Sequence, residues 1–74
     1  MDIEVGDKVG LQLGIGGAVS SVVVMVVQLL NDGRLYARYL HGSDYLDGMK
    51  KRGYGELLLF IDKDKIEMHE KAPK

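Results

Sequence analysis

The sequence predicts an all-β fold, a small five-stranded barrel that forms one domain over residues 1–74. Ten glycines and a single proline separate short runs rich in Val, Leu and Ile, which is typical of strands joined by turns. Several of these runs alternate apolar and polar residues with the period of two that a half-buried strand requires. No segment shows clear helical spacing, and a chain of this length buries only one core.

The first strand is predicted over residues 7–13, where Val9, Leu11 and Leu13 alternate with polar or small residues. Residues 14–17, Gly-Ile-Gly-Gly, interrupt the pattern because glycine weakens strands and accepts unusual backbone angles. A turn or bulge explains these glycines better than a phosphate-binding loop. Such a loop opens a helix, whereas a strand follows here.

The second and third strands are predicted to form a hairpin. Residues 19–30 are dominated by β-branched side chains, and Asn-Asp-Gly at 31–33 is a strong hairpin-turn signal. The return strand covers residues 34–41. Its alternation places three residues on one face: Leu35, Ala37 and Tyr39.

Residues 42–56 hold four glycines and a cluster of charges, which predicts a long loop or an extended hairpin tip. Residues 57–61 predict an apolar fourth strand, followed by a tight turn at 62–64. The fifth strand is predicted over 65–69, with Ile66 and Met68 facing inward. The tail, residues 70–74, is expected to fray.

Two predicted strands, within residues 22–30 and 57–61, are apolar on both faces, although a small barrel has one interior. Covering about 400 Å² of such surface per subunit contributes roughly 10 kcal/mol before association costs. We therefore expect a homo-oligomer. The alternatives are a covering loop and tail, or a buried helix over 19–30. The predicted interface residues are Val23, Met25, Val27, Leu29, Leu58 and Phe60.

Charge and cysteine content restrict partners and location. Ten Lys and Arg balance eleven Asp and Glu for a net charge of -1, so no global field attracts nucleic acid or an anionic membrane. The longest apolar run is shorter than the about 20 residues of a membrane-spanning helix. The absence of cysteine fits a reducing compartment, and we expect a cytoplasmic protein without membrane contact.

The sequence predicts neither catalysis nor a cofactor or metal. His41 and His69 lie far apart without a second ligand beside either one. The segment starting at Asp62 begins like a calcium loop but lacks its glycine at the sixth position and its glutamate at the twelfth. Ser20 and Ser21 have no acid–base partner at a recognisable spacing.

One polar cluster, in and near residues 42–56, has binding character. It comprises Lys50, Lys51, Arg52, Tyr54, Tyr45 and Arg38. Basic groups neutralise phosphates and aromatic rings stack on unpaired bases, so single-stranded RNA is a candidate partner. The plainer alternative is a solvated charged loop, whose field is diluted by Asp44, Asp47 and Glu56.

The two ends of the chain resemble small SH3-like barrels. Residues 5–9, Val-Gly-Asp-Lys-Val, are similar to the opening strand of these barrels. Residues 59–67, Leu-Phe-Ile-Asp-Lys-Asp-Lys-Ile-Glu, are similar to the closing strand, short helical turn and last strand. This resemblance implies the fold rather than a function.

The middle of the chain resembles Sm-like proteins, whose barrels assemble into RNA-binding rings. Residues 26–40, Val-Val-Gln-Leu-Leu-Asn-Asp-Gly-Arg-Leu-Tyr-Ala-Arg-Tyr-Leu, look like the first motif of that family, and Asp44 falls near its aspartate. The Arg-Gly pair of the second motif is replaced by Asp62 and Lys63. This resemblance implies an RNA-binding ring as the alternative function.

A third resemblance is to the type II dihydrofolate reductases, SH3-like tetramers of similar size. Their active pore depends on a Val-Gln-Ile-Tyr segment, whereas residues 57–60 here read Leu-Leu-Leu-Phe and lack both polar groups. The function that we predict from the sequence is therefore a non-enzymatic, oligomeric binding or assembly module.

Overall fold

Five antiparallel strands form one sheet in the computed structural model, which describes residues 2–73. The elements are β1 (Lys8–Ile15), β2 (Ala18–Leu29), β3 (Arg34–His41), α1 (Asp44–Lys51), β4 (Leu58–Asp62), a 3₁₀ turn (Lys63–Lys65) and β5 (Ile66–Glu70). The strand order is β4-β3-β2-β1-β5. The predicted all-β class is confirmed. Within the described residues β4 and β5 do not pair, so the sheet is open and the predicted barrel closure is not confirmed.

The inner face of the sheet carries the hydrophobic core, to which every strand contributes. Its buried residues are Ile3, Val9, Leu11, Val22, Val24, Val26, Leu35, Ala37, Tyr39, Leu46, Ile61 and Ile66. The alternation predicted for β3 is confirmed. The first turn lies slightly later than predicted, because β1 continues through Gly14 and the chain reverses at Gly16 and Gly17, whose φ angles are 62° and 83°.

A bulge in β2 changes which of its side chains face outward. One extra residue lies between Val26 and Gln28, and beyond it Leu29 pairs with the buried Leu35. Leu29 is therefore on the inner side at the end of the sheet, and Gln28 takes the outer position. The prediction that the odd-numbered residues 23–29 share one face is wrong beyond Val26.

A second bulge separates the two side chains that were predicted to face inward on β5. Ile66 pairs with Leu11 and Met68 pairs with Gly10, so Glu67 is the extra residue. Ile66 is buried, whereas Met68 is 47% exposed on the outer face. The prediction for Met68 is wrong because the bulge breaks the alternation of the strand.

Part of the predicted loop at 42–56 is the helix α1, which corrects that prediction. The Ser43 side chain caps its first turn by accepting from the Leu46 N–H at 3.3 Å. Two aspartates lie in the first turn and two lysines in the last, as the helix dipole favours. Leu46 is buried in the core. Glycine content hid this helix, since Gly48 lies inside it.

Tyr39 fixes α1 to the sheet through its buried hydroxyl group. The oxygen accepts from the Ser43 N–H at 2.7 Å and donates toward Asp47 Oδ1 at 2.8 Å, with the Ser43 carbonyl at 3.0 Å. Burial raises the pKa of the Tyr39 phenol. These contacts join the start of α1 to β3 and act together with the buried Leu46 to position the helix.

Asp7 joins the two ends of the described chain. Its buried carboxylate accepts from His69 Nε2–H at 2.7 Å, the Ala72 N–H at 2.9 Å and the Glu4 N–H at 2.9 Å. Lys71 Nζ lies 3.9 Å away. The His69 bond, with the two backbone bonds, holds the pKa of Asp7 well below its usual range.

The tail that was predicted to fray begins inside a strand, because Glu70 is the last residue of β5. Ala72 is bonded to Asp7. Lys74 lies outside the described residues.

Asp7→Asn is expected to destabilise the fold at neutral pH, because the amide cannot accept from all of these donors. Since the folded-state pKa of Asp7 is depressed, its contribution is full above the unfolded-state pKa of about 4 and is lost as the pH falls below that value. The stability difference between wild type and Asp7→Asn should therefore shrink below pH 4. Urea unfolding at several pH values measures this, with exposed Asp64→Asn as the control; an unchanged difference at pH 3 contradicts it.

Tyr39→Phe is expected to destabilise the fold by about 1–3 kcal/mol, because it leaves the buried Ser43 N–H without its partner. Tyr45→Phe removes a hydroxyl from an exposed ring and should change the free energy of unfolding by less than about 0.5 kcal/mol. Urea denaturation compares the two variants. Equal midpoints for both would show that the Tyr39 bonds do not stabilise α1.

Candidate functional site

The outer face of the sheet carries a group of large side chains, two of which are exposed and three half-buried. The outer patch consists of Val23, Met25, Tyr36, Leu58 and Phe60. Cross-strand pairing places Tyr36 opposite Phe60 and sets Arg38 between Leu58 and Met25. Phe60 is 65% exposed and Leu58 is 42% exposed. The patch therefore presents apolar surface at the β4 side of the sheet.

The aromatic rings of the outer patch are held in place by their neighbours. The Tyr36 and Phe60 ring centroids lie 4.8 Å apart with the rings tilted by 40°. The Arg34 guanidinium carbon lies 5.5 Å from the Phe60 centroid. Because the Phe60 ring already contacts Tyr36 and Arg34, binding a partner here immobilises few additional side chains.

The arginines beside the outer patch already have carboxylate partners. Arg34 Nη2 lies 2.7 Å from Asp32 Oδ2, and Arg38 Nη1 lies 2.9 Å from Glu56 Oε1. The Arg34 hydrogen bond lowers the pKa of Asp32. These exposed pairs add little stability. They do mean that a partner covering the patch would not leave an unpaired charge beneath it.

The outer patch contains four of the six predicted interface residues: Val23, Met25, Leu58 and Phe60. Val27 is the extra residue of the β2 bulge and Leu29 lies beyond it. Sequence reasoning missed Tyr36, because Arg34 and Arg38 flank it on the same face of β3. Its pairing with Phe60 joins residues that are distant in the sequence.

The residues predicted to bind nucleic acid are spread over several surfaces. Only Arg38 and Lys50 line a common cleft, of about 520 Å³, at the point where the chain leaves Gly55 for β4. Lys50 Nζ lies 5.7 Å from the Tyr39 ring centroid. The cleft also contains Glu56, whose carboxylate is bonded to Arg38. A phosphate entering there would meet a negative charge and a guanidinium already engaged.

The other predicted basic and aromatic residues lie away from this cleft. Lys51 ends α1 and Arg52 follows it, so the consecutive basic residues point in different directions around the helix. Tyr45 lies at the opposite end of α1, against Gly16 of the first turn. Tyr54 is exposed in the connection to β4. This distribution favours a solvated helix end over one nucleic-acid surface.

Among residues 2–73 no group of three His, Asp or Glu side chains is placed to hold a metal ion. In that part of the chain no helix is long and apolar enough to cross a membrane. His69, one of the two histidines, is bonded to Asp7.

Comparison with protein-family models, curated proteins and solved structures gives no match for this chain. The resemblances to SH3-like barrels, Sm-like proteins and type II dihydrofolate reductases therefore stay predictions. On the surface of the molecule, the outer patch indicates a binding function more strongly than the cleft of Arg38 and Lys50 does.

We expect single-stranded oligo-U to bind with a dissociation constant no lower than about 10⁻⁴ M at physiological salt, in the weak non-specific range. Glu56→Gln frees Arg38 and should strengthen binding at low salt only. Filter binding at two salt concentrations measures both, with Glu67→Gln on β5 as the charge-matched control. Micromolar, salt-sensitive binding by the wild type that Lys50→Gln abolishes would favour the RNA-binding ring instead.

Proposed function

We propose that this protein is a non-enzymatic module that assembles with copies of itself through the outer patch. The observation that carries the proposal is the exposure of Phe60 and Leu58 in a patch whose neighbouring arginines are already neutralised. Protein interfaces are enriched in aromatic residues, Met and Arg, the residue types that this patch and its neighbours provide. In a second copy the same patch is available, so one surface provides both halves of the contact.

The size of the domain supports a partner. A chain of 74 residues buries only about 60–65% of its unfolded surface and is marginal without a disulfide, a metal or another subunit. It contains no cysteine, which rules out a disulfide and supports a reducing compartment such as the cytoplasm. Self-association is then the remaining source of stabilisation that its own surface offers.

The energetics of the outer patch predict an association of moderate strength. Full burial of a Phe or Leu side chain contributes about 1.5–3 kcal/mol, so covering the exposed half of each contributes roughly 1–1.5 kcal/mol. Phe60 and Leu58 of two copies together contribute about 4–6 kcal/mol on this scale. Association costs at least about 4 kcal/mol. Further contacts, including backbone hydrogen bonds, are needed for a micromolar complex.

The alternative function, an RNA-binding ring, is supported by the shared cleft of Arg38 and Lys50. The bond between Arg38 and Glu56 weighs against it.

Sedimentation of the wild type at about 10–100 µM, a range above a micromolar Kd, should show species heavier than the 8.2 kDa monomer. Phe60→Glu should raise the dissociation constant by about 100-fold or more, because it places a charge in the apolar contact of both copies. Val19→Glu is the matched control, since Val19 is a similarly exposed strand residue, at 71%, outside the outer patch. Circular dichroism checks that both variants fold. A wild type that is only monomeric contradicts the proposal.

A further inference from the structure

The two free edges of the sheet differ in their protection against pairing. β5 carries the bulge at Glu67 and two exposed glutamates, Glu67 and Glu70, and bulges and charges are devices that block edge pairing. β4 pairs with β3 in regular register without a bulge. Residues 57–61 are all apolar. β4 is thus the unprotected edge.

We propose that β4 pairs with β4 of a second copy, antiparallel about a two-fold axis perpendicular to the sheet, so that the two sheets become one. This inference rests on the proposed self-association and narrows its contact to the β4 edge of the outer patch, where Leu58 and Phe60 lie. Val23, Met25 and Tyr36 are on β2 and β3, outside the seam. Backbone N–H and C=O groups on the free side of β4 then bond across the seam. Such bonds provide the further contacts that the outer patch alone lacks.

The sequence of β4 favours one register of this pairing. With Leu59 opposite Leu59 of the second copy, Leu58 falls opposite Phe60 and Leu57 opposite Ile61. Every pair formed within residues 57–61 is then apolar. Centring the pairing on Phe60 would place Asp62 opposite Leu58, and centring it on Leu58 would place Glu56 opposite Phe60. The hydrophobic pattern sets the register.

This register covers side chains on both faces of β4. Leu58 and Phe60, both exposed in one chain, become cross-strand neighbours on the outer face. On the inner face Leu57 and Leu59, which are only partly buried, extend the core across the seam. The apolar character of both faces of residues 57–61 therefore has one explanation.

The same register places Glu56 opposite Asp62 of the second copy, which is a like-charge pair. Each carboxylate has an arginine of its own chain nearby: Glu56 is bonded to Arg38, and Asp62 is the cross-strand partner of Arg34. The repulsion is reduced but not removed. Asp62→Asn should therefore tighten the association, and added salt should tighten the wild type.

Disulfide trapping tests the register in a chain that contains no cysteine of its own. Residues directly opposite each other in an antiparallel pair have Cα atoms about 4.5–5.5 Å apart, within disulfide range. Leu58→Cys and Phe60→Cys chains, one of them carrying a mass tag, are mixed and oxidised. The yield of their mixed disulfide should be about ten-fold higher than the yield from the control mixture of Val19→Cys and Phe60→Cys chains. Each variant alone should yield little.

The outcomes separate the two proposals. A dominant Phe60→Cys homodisulfide overturns the register. If the wild type is oligomeric but the mixture of the Leu58→Cys and Phe60→Cys chains forms no mixed disulfide, the pairing of β4 edges is overturned and self-association stands. A monomeric wild type overturns both. Hydrogen exchange on the wild type adds a readout without substitutions: amides of β4 that do not bond to β3 should exchange more slowly as the protein concentration rises. Concentration-independent exchange in an oligomer overturns the inference.

Discussion

A five-stranded sheet of this size has one covered face, and that constraint organises the molecule. Along each strand alternate side chains point to opposite faces, so only half of each apolar run can enter the core. Val22, Val24 and Val26 fill it from β2, and Ile61 fills it from β4. Their outward-facing neighbours are half-buried on β2, at Val23 and Met25, and exposed on β4, at Phe60. The same apolar segments of β2 and β4 therefore supply both the core and the apolar side chains of the outer face.

What could be predicted from the sequence depends on the range of the interactions involved. The hairpin turn at 31–33 and the alternation of β3 depend on adjacent residues, and both were predicted correctly. The bulges at Val27 and Glu67 arise from how β2 and β5 pair with other strands, and no local pattern marks them. The cap of α1 was a local signal, Ser43 before Leu46, but the surrounding glycines outweighed it.

The candidate site divides in the same way. That β4 has two apolar faces follows directly from its composition. The separation of the basic residues could not be predicted in this way. Consecutive residues on a helix point in different directions, and Arg38 is bonded to Glu56, 18 positions away in the sequence. The basic residues that are close in the sequence are therefore divided in the fold between the end of α1 and the ion pair of Arg38 with Glu56. Tyr36 joins the outer patch through a pairing that only the fold creates.

The unequal edges of the sheet also bear on how far assembly proceeds. If β4 paired with β5 of the next copy, each addition would leave another free β4, and growth would end only by ring closure. The bulge and glutamates of β5 oppose that route. Pairing between two β4 strands uses up both unprotected edges and leaves only the protected β5 edges outside. An apolar edge strand that would otherwise promote aggregation then limits assembly through edges to a closed pair, so further growth would need the remaining outer face.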